Sequence, residues 1–543
     1  MLRKKVYSAI KSVLNSFDIE NIPDFTVEIP PEGMGDFSTN VAFLLTKELK
    51  KSPRKIAEEI TSEISAFSFI KECIVAGPGF INFTLNNKLY SDTLNTLLEK
   101  PEFWKEEGKI KILFEFGSAN PTGPITIGHG RQLVFGDVLS TVFESQGYDV
   151  SKEMYMNDAG RQIKLLGKSL WARYMQLVGE DEEIPEDGYK GEYLIEIARI
   201  FLEKYGEAYK KPWTEKSEGI FSKFALKNIQ EEIQKTLSQL RVRFDSAFSE
   251  KSLIENNEVK KILSTLKQKG LTYEKDGALW LKVSSLEDEK DKVLIRSDGT
   301  YTYFLTDIAY HFNKYKRGYE IACDIWGPDH SGHIKRMNAA MKALGLPEDF
   351  LRIVIHQYVN IKQEDKIVKM STRKGEFVTL KELLDTVGTD AARYFFAMFD
   401  PDTHMDFDIE LAKKKSSENP VYYIQYAHAR ISSIFEKAAR ENLSVESFIT
   451  DNYEFNEEEK KIIRQVSGFK DVLKKITTDF KTNRLTSYLE QLAGTYHAFY
   501  NKHVVVDPKC PDVSSIRLKL SSLVKRTIAQ GLNLLGVNAP ESM

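Results

Sequence analysis

The stretch EFGSANPTGPITIGHGR, Glu115 to Arg131, constrains the fold more than any other part of the chain, because it joins a strand to a helix through a glycine-containing turn. KILFEF, Lys111 to Phe116, has the length and the β-branched and aromatic content of a buried strand; the Asn/Pro/Gly cluster breaks it, and Gln132 to Glu144 has helical spacing. The turn therefore ends at a helix N-terminus, where unpaired backbone N–H groups and the positive end of the helix dipole favour an anion. Gly128 and Gly130 let a ligand approach the backbone. Taken alone, the same pattern also describes an ordinary strand-to-helix turn.

A second segment, KIVKMSTRKGEFVT from Lys366 to Thr379, shifts the balance. It reads as a strand-like piece followed by a polar loop in which Lys369, Arg373 and Lys374 surround Ser371 and Gly375, and such a loop can lend cations to a polyphosphate.

TIGH (Thr126 to His129) and KMSTR (Lys369 to Arg373) together resemble the HIGH and KMSKS motifs of class I aminoacyl-tRNA synthetases. Within that class, EFGSANPTGP, KMSTRKGEFVTL, TYFLTDIAYH (Thr302 to His311) and YYIQYAHARI (Tyr422 to Ile431) resemble arginyl-tRNA synthetases. The likeness covers nearly the whole chain, including GDFSTNVA (Gly35 to Ala42), which is similar to that family's extra N-terminal domain. It implies an α/β fold: a class I Rossmann-like catalytic domain, a small N-terminal α+β domain and a C-terminal all-α helical bundle. It also implies ATP-dependent, AMP-forming activation of L-arginine and transfer to the 3'-terminal adenosine of tRNA(Arg), with Mg²⁺ accompanying ATP.

Composition agrees without pointing there. A chain of 543 residues allows about three or four domains, and no apolar run is long enough to span a membrane. MLRKKVYSAI is followed by no continuous apolar segment of the kind that directs export, and Cys73, Cys323 and Cys510 lie far apart, so a reduced, cytoplasmic protein is expected. The net charge of -3 argues against a polyanionic partner, but its distribution does not. Lys47, Lys50, Lys51, Arg54 and Lys55 cluster near one end; Lys413 to Lys415, Lys474, Lys475, Lys481, Arg484, Arg517, Lys519, Lys525 and Arg526 punctuate the other. These could line a phosphate backbone, or could be solvated helix faces balanced by neighbouring Glu.

Three parts follow. Residues 1–100 open with helical spacing at Val41, Leu44, Leu45 and Leu49 and at Ile56, Ile60 and Ile64, with Ser52-Pro53 as a helix start; Lys71 to Val75 and Phe80 to Leu85 flank Gly77-Pro78-Gly79 as a hairpin. Residues 108–415 alternate strand and helix, the pattern of a doubly wound parallel sheet, with GEDEEIPEDG (Gly179 to Gly188) as an exposed insertion. Residues 416–543 read as helices, with Ile424, Ala427, His428, Ile431 and Phe435 in one stripe. The resemblance makes the first part a tRNA-binding domain, where Phe80 and Asn82 match the base-contacting aromatic and amide, and the last an anticodon-binding bundle, where Tyr422, Tyr423, Tyr426, Tyr496 and Tyr500 could stack on bases, although core packing is the better reading for most of them individually. A phenylalanine such as Phe80 is more often simply core.

The resemblance also assigns roles in the catalytic part. His129, with Thr126 where the first His of HIGH is expected, and Lys369 are the catalytic candidates. Gly128, His129, Gly130, Asp329 (in WGPDHSGH), Lys369, Met370 and Ser371 are candidates to bind ATP, with Arg373 or Lys374 replacing the second KMSKS lysine. Glu115, Ser118, Asn120, Tyr303 and Asp307 match the arginine site: a guanidinium is a planar fork of donors without an acceptor, so it demands fixed carboxylate oxygens, and Tyr303 and Asp307 share a helix face.

No metal site is expected: His330, His333 and Cys323 lack a second metal-spaced group. Another class I synthetase, a small nucleotidylyltransferase and a catalytically silent tRNA-binding paralogue are the other readings; the helical C-terminal part and KMSTR disfavour the transferase, and the intact His129, Lys369, Glu115 and Asp307 disfavour the paralogue. A monomer is expected, with no membrane and no DNA partner.

Overall fold

The computed structural model describes the chain except residues 18, 119, 158–160, 285–289, 364–365, 369–378 and 445–452. At the N-terminus, helices Leu2–Leu14 and Pro53–Ile64 cover a four-stranded antiparallel sheet in the order Val27–Glu28, Phe37–Thr39, Phe80–Leu85, Ile70–Ala76. Ser52 caps the second helix by accepting from Lys55 N–H, with Pro53 at its first position. Gly79 closes the hairpin at φ 150°, where an added Cβ would lie 2.7 Å from Pro53, so only glycine fits.

The central sheet is parallel throughout: β1 Lys111–Glu115, β2 Asp149–Met156, β3 Ser246–Ser249, β4 Ile321–Trp326 and β5 Leu351–Ile355, in the spatial order β5-β4-β1-β2-β3. Ile112, Leu113, Phe114, Ala322, Cys323 and Ile325 are buried, as expected for strands covered on both faces. Chain order reverses between β1 and β4, and a crevice opens there at the carboxyl ends of the strands. Helix α1, Ile127–Ser145, follows β1; α2, Glu215–Leu240, precedes β3; α3, Tyr303–Lys316, precedes β4. The simple alternation read from the sequence is interrupted twice, by a helical insertion between β2 and β3 and by an antiparallel sheet of 272–275, 278–281 and 292–295 between β3 and β4.

From α4, Pro420–Arg440, onward the chain is a helical bundle continued by Glu457–Ser467, Phe469–Asp479, Asn483–Lys502 and Pro511–Leu534. The first hundred residues do not stand apart from it. Arg464 reaches the buried carboxylate of Asp36 and, at 2.9 Å, the Tyr90 hydroxyl; Asn87 bonds to the backbone of Tyr453 and Phe455; Trp104 packs edge-on to Phe469.

Many of the C-terminal cations read as a phosphate-binding row are engaged within the protein. Lys474 pairs with Glu106, Lys481 with Asp400, Arg484 with Asp479, Arg517 with Glu459 and Lys525 with Glu541, while Lys519 is buried. In the N-terminal cluster, Lys51 and Arg54 pair with Glu59 and Glu58.

Candidate active site

A cleft of about 940 Å³ lies at the switch point. Of the residues singled out for ATP and the reaction, Thr126, Gly128, His129 and Asp329 line it; of those for arginine, Glu115, Ser118, Asn120, Tyr303 and Asp307 all do. Lys369, Met370 and Ser371 lie outside the described residues. Gly130 does not face the cleft. A Cβ there would come 2.6 Å from Leu380 Cδ1 and 3.2 Å from the Phe396 ring, and its N–H already bonds to Thr126 O, so Gly130 is small to let α1 pack closely, not to admit a ligand. Phe80 is no core residue: it is 45% exposed beside the Phe43 ring, on the same strand as half-buried Asn82.

The TIGH turn explains its threonine. Helix α1 begins at Ile127, so Thr126 is the N-cap and His129 lies in the first turn. Thr126 donates its backbone N–H to His129 Nδ1 at 3.4 Å, and its hydroxyl lies 2.9 Å from the same nitrogen. Nδ1 is therefore an acceptor and the ring hydrogen sits on Nε2. Burial lowers the pKa of His129, which favours this neutral donor form. Where a second imidazole was expected, a capping residue fixes the tautomer of the first. The same turn holds the end of the second motif: Ile125 O accepts from Leu380 N–H at 2.8 Å, and Thr126 forms a β-bridge with Thr379. Arg131, one turn into α1, donates at 2.9 Å to the carbonyls of Gln357, Thr403 and Asp400 and so binds the helix to the chain leading into strand 359–363.

The half of the cleft expected to take arginine is a buried charge cluster. Lys314 donates to Glu115 Oε2 at 2.5 Å and to Asp324 Oδ1 at 2.7 Å. His311 places Nε2 2.6 Å from Asp324 and Nδ1 2.7 Å from the Asp307 carbonyl. Burial would raise the pKa of Asp324, but Lys314 and His311 outweigh it and hold it below the usual carboxylate range. For Glu115, burial prevails over Lys314 and the pKa rises. The Asp307 carboxylate differs: 7% exposed, it has no hydrogen bond or ion pair among the described residues, and burial and then the charges of Glu115 and Glu250 push its pKa well up. Beside it the Tyr155 hydroxyl is buried in the cleft without a hydrogen-bond partner among the described residues.

Sequence reading missed Lys314, Tyr155 and Tyr358. Lys314 follows Asp307 by two turns of α3, a spacing that could have flagged it. Tyr155 lies in a strand whose exposed and buried faces carry no sequence cue, and Tyr358 donates its hydroxyl to Asp329 with helix Ile334–Leu344 and strand β5 between them in the chain. Glu115, His311 and Asp324 have ligand atoms within 4.8 Å of one another, but the Lys314 ammonium bonds to Glu115 and Asp324, and His311 bonds to Asp324, so the trio is an ion network already holding a cation.

A parallel sheet with a histidine-bearing turn at the switch point, joined to a helical bundle, is the architecture of a class I aminoacyl-tRNA synthetase. The catalytic-domain model of the class I (R) tRNA synthetases matches residues 93–400, and the solved Mycobacterium tuberculosis methionyl-tRNA synthetase superposes with a TM-score of 0.55 at 12% identity, over 79% of this chain and 91% of that one. The flanking parts narrow the class. The arginyl tRNA synthetase N-terminal domain model matches residues 2–85 and the DALR anticodon binding domain model residues 424–543. The chain is 53% identical to the arginine–tRNA ligase of Thermotoga petrophila, over 100% of this chain and 99% of the relative, and 44% identical to that of Aquifex aeolicus, over the full length of both. The Thermus thermophilus arginyl-tRNA synthetase structure shares the fold at a TM-score of 0.78 and 23% identity across both whole chains. The chain belongs to the arginyl-tRNA synthetase family.

Proposed function

We propose that the two halves of the cleft divide the ligation of L-arginine to tRNA(Arg) between them. The reaction is the family's: ATP and arginine form arginyl-adenylate and pyrophosphate, and the arginyl group then passes to the 3'-terminal adenosine. The observation that carries the reading is Asp307, a buried carboxylate with no cation partner among the described residues, in the same cleft as the TIGH turn. A guanidinium supplies the missing charge and, with Glu115 and the hydroxyls of Tyr303 and Tyr155, completes a set of acceptors for its planar fork. Ser118 and Asn120, at the loop after β1, hold the α-amino and carboxylate groups.

The substrate carboxylate then attacks the α-phosphorus in line, forming a carboxylate–phosphorus bond as the bond to pyrophosphate breaks. This chemistry needs positioning and charge neutralisation, not a covalent enzyme intermediate. His129 donates from Nε2 to phosphate or ribose oxygen. Lys369, in the motif that starts after strand 366–368, neutralises the departing pyrophosphate, with Met370 and Ser371 completing the ATP site. Mg²⁺ would accompany the ATP phosphates and help neutralise their charge; Glu115, His311 and Asp324 would not hold it, because Lys314 already bonds to Glu115 and Asp324.

Transfer RNA spans the remaining parts. Phe80 offers an exposed ring and Asn82 a half-buried amide on the N-terminal sheet. On the bundle, exposed Tyr426 and Tyr500 flank Arg430, whose guanidinium lies 4.7 Å and 5.1 Å from their ring centres, and Tyr422 stacks on Tyr426. Tyr496 takes no part: it is buried, with its hydroxyl on Ser521. The protein acts as a cytoplasmic monomer; no helix among the described residues is long and apolar enough to cross a membrane. The deciding experiment is ATP–pyrophosphate exchange across amino acids, with and without tRNA(Arg). Exchange that depends on arginine and on tRNA is expected; exchange driven by another amino acid overturns the assignment.

A further inference from the structure

The loop between β1 and α1 brings Ser118 and Asn120 into the cleft, and its described residues form neither helix nor strand. Pro121 and Pro124 have no N–H to donate, and Thr122 N–H turns back to Asn120 O at 2.7 Å. Through that tight turn the position of Asn120 depends on Thr122. Thr122 is buried, so its carbonyl needs a partner. The partner comes from the helical insertion between β2 and β3: the hydroxyl of Tyr193, first residue of helix Tyr193–Tyr205, donates to Thr122 O at 2.5 Å.

We infer that Tyr193 is a positioning residue for adenylate formation, acting through Thr122 on the loop that carries Ser118 and Asn120. The inference rests on the proposed function, in which those two residues hold the α-amino and carboxylate groups of arginine. The attacking atom is an oxygen of that carboxylate, so the loop sets where the nucleophile stands against the α-phosphorus. The guanidinium half is fixed by other means. Ser118 Oγ reaches Glu115 Oε1 at 3.3 Å, but Glu115 has its shorter bond to Lys314, and Asp307 lies on α3.

The insertion is shaped to deliver this one ring. An added Cβ at Gly191 would lie 2.5 Å from Tyr193 Cε1, and one at Gly123 would lie 3.4 Å from Tyr193 Cζ and its hydroxyl oxygen. The ring therefore lies against two glycine backbones, one in its own segment and one in the loop. The approach to Tyr193, which directly follows the acidic run Gly179 to Gly188, is fastened as well. Tyr189 N–H donates to Ser169 Oγ at 3.0 Å and Arg173 donates to Lys190 O at 3.0 Å, which ties the segment to helix Arg161–Leu177. Burial raises the pKa of the Tyr193 phenol, so its hydroxyl keeps the proton it donates.

Tyr193→Phe removes the donor and keeps the ring. In ATP–pyrophosphate exchange with tRNA(Arg) present, kcat/KM for arginine should fall about tenfold, the scale of leaving one buried acceptor unpaired. KM for ATP should be unchanged. Butylguanidine has the guanidinium and the aliphatic chain but neither the α-amino nor the carboxylate group, so it should inhibit exchange equally in the variant and the wild type. A general loss of packing would weaken both ligands together. Gly191→Ala displaces the ring while retaining the hydroxyl; it should give the same pattern, and it decides the matter if Tyr193→Phe does not fold. Because both substitutions act on one contact, the double variant should lose no more than the weaker of the two singles. Wild-type kcat/KM for arginine in Tyr193→Phe, parallel weakening of butylguanidine, or additive losses in the double variant overturns the role of Tyr193. Absence of arginine-dependent exchange in the wild type overturns the ligase reading instead.

Discussion

The ammonium of Lys314 lies 2.5 Å from Glu115 Oε2, so one of the two carboxylates proposed to face the substrate guanidinium is paired within the protein. The other, Asp307, has no hydrogen bond or ion pair among the described residues. The proposed arginine site thus combines one carboxylate held in place by the protein with one left for the ligand.

Removing the internal cation should expose that dependence. In Lys314→Met the buried Glu115 and Asp324 lose their shared partner, and breaking a buried pair in this way costs about 3–5 kcal/mol. Without Lys314, burial and Asp324 also push a proton onto Glu115, so arginine affinity should fall together with stability. Lys314→Arg keeps the charge and should retain most of both. Urea unfolding and calorimetry read the two effects, and wild-type stability in Lys314→Met contradicts the account.

Gly130 offers a test of packing in a motif usually read as ligand-binding. Its added Cβ would stand 2.6 Å from Leu380 Cδ1. Gly130→Ala should therefore destabilise the protein by about 1–3 kcal/mol, as overpacking does, despite the better helix propensity of alanine. An unchanged thermal midpoint would place Gly130 elsewhere.

The ion pair of Asp36 and Arg464 joins the N-terminal sheet to the helical bundle. Asp36 also accepts from Leu85 N–H at 2.7 Å, so it fixes the strand that carries Phe80 and Asn82. Arg464→Met should weaken tRNA binding and increase proteolysis of the first 85 residues, while arginine and ATP affinities remain. Removal of residues 1–100 is a poorer test of the RNA contact, because it deletes helix Asn87–Glu99, which packs on the bundle. Equal tRNA affinity in Arg464→Met and the wild type argues against any such registration.

Lys369 heads KMSTR, and its contribution is argued from that motif. Lys369→Ala should slow adenylate formation by about 10²-fold or more, the scale of one preorganised contact to the transition state, with little change in arginine affinity. Pre-steady-state pyrophosphate release at the wild-type rate would remove it from the mechanism.

Local signals made much of this legible in the sequence. The strand at Lys111, the turn at Thr126, the cap at Ser52 and the hairpin at Gly77 each rest on residues within a few positions of one another, and each is found. Tyr303 and Asp307 were legible because helical spacing fixes their common face. The support of the site was not, because Glu115 and Lys314 are 199 residues apart and meet only through the order of the parallel strands. The basic row at the C-terminus left two readings open for the same reason: acceptors such as Glu106 and Asp400 come from distant segments. The sequence places Thr126 where the motif has its first His, but only the fold puts its hydroxyl on His129 Nδ1.

Asp307 ties specificity to pH. Burial first, and then the charges of Glu115 and Glu250, raise its pKa well above the ordinary 3.8. The folded, arginine-free protein therefore binds this proton more tightly than the unfolded chain, so the group costs no stability below about pH 4, and the cost grows as pH rises and is full above the raised folded-state pKa. Asp307→Asn removes an ionisable group that is unpaired in the free protein. It should make the arginine-free protein more stable near pH 7, with a gain that shrinks as pH falls and disappears below about pH 4. Arginine reverses the balance by supplying the cation. Its binding to the wild type should release a proton and tighten as pH rises through the raised pKa, which calorimetry in buffers of different ionisation enthalpy measures directly. The variant should show neither effect. It should also lose selectivity, because the wild-type site leaves buried acceptors unpaired when citrulline replaces one donor with an acceptor, a mismatch that can be rejected by roughly 10⁴-fold. If Asp307→Asn binds arginine as tightly as the wild type across that pH range and still rejects citrulline, the guanidinium is not held at Asp307.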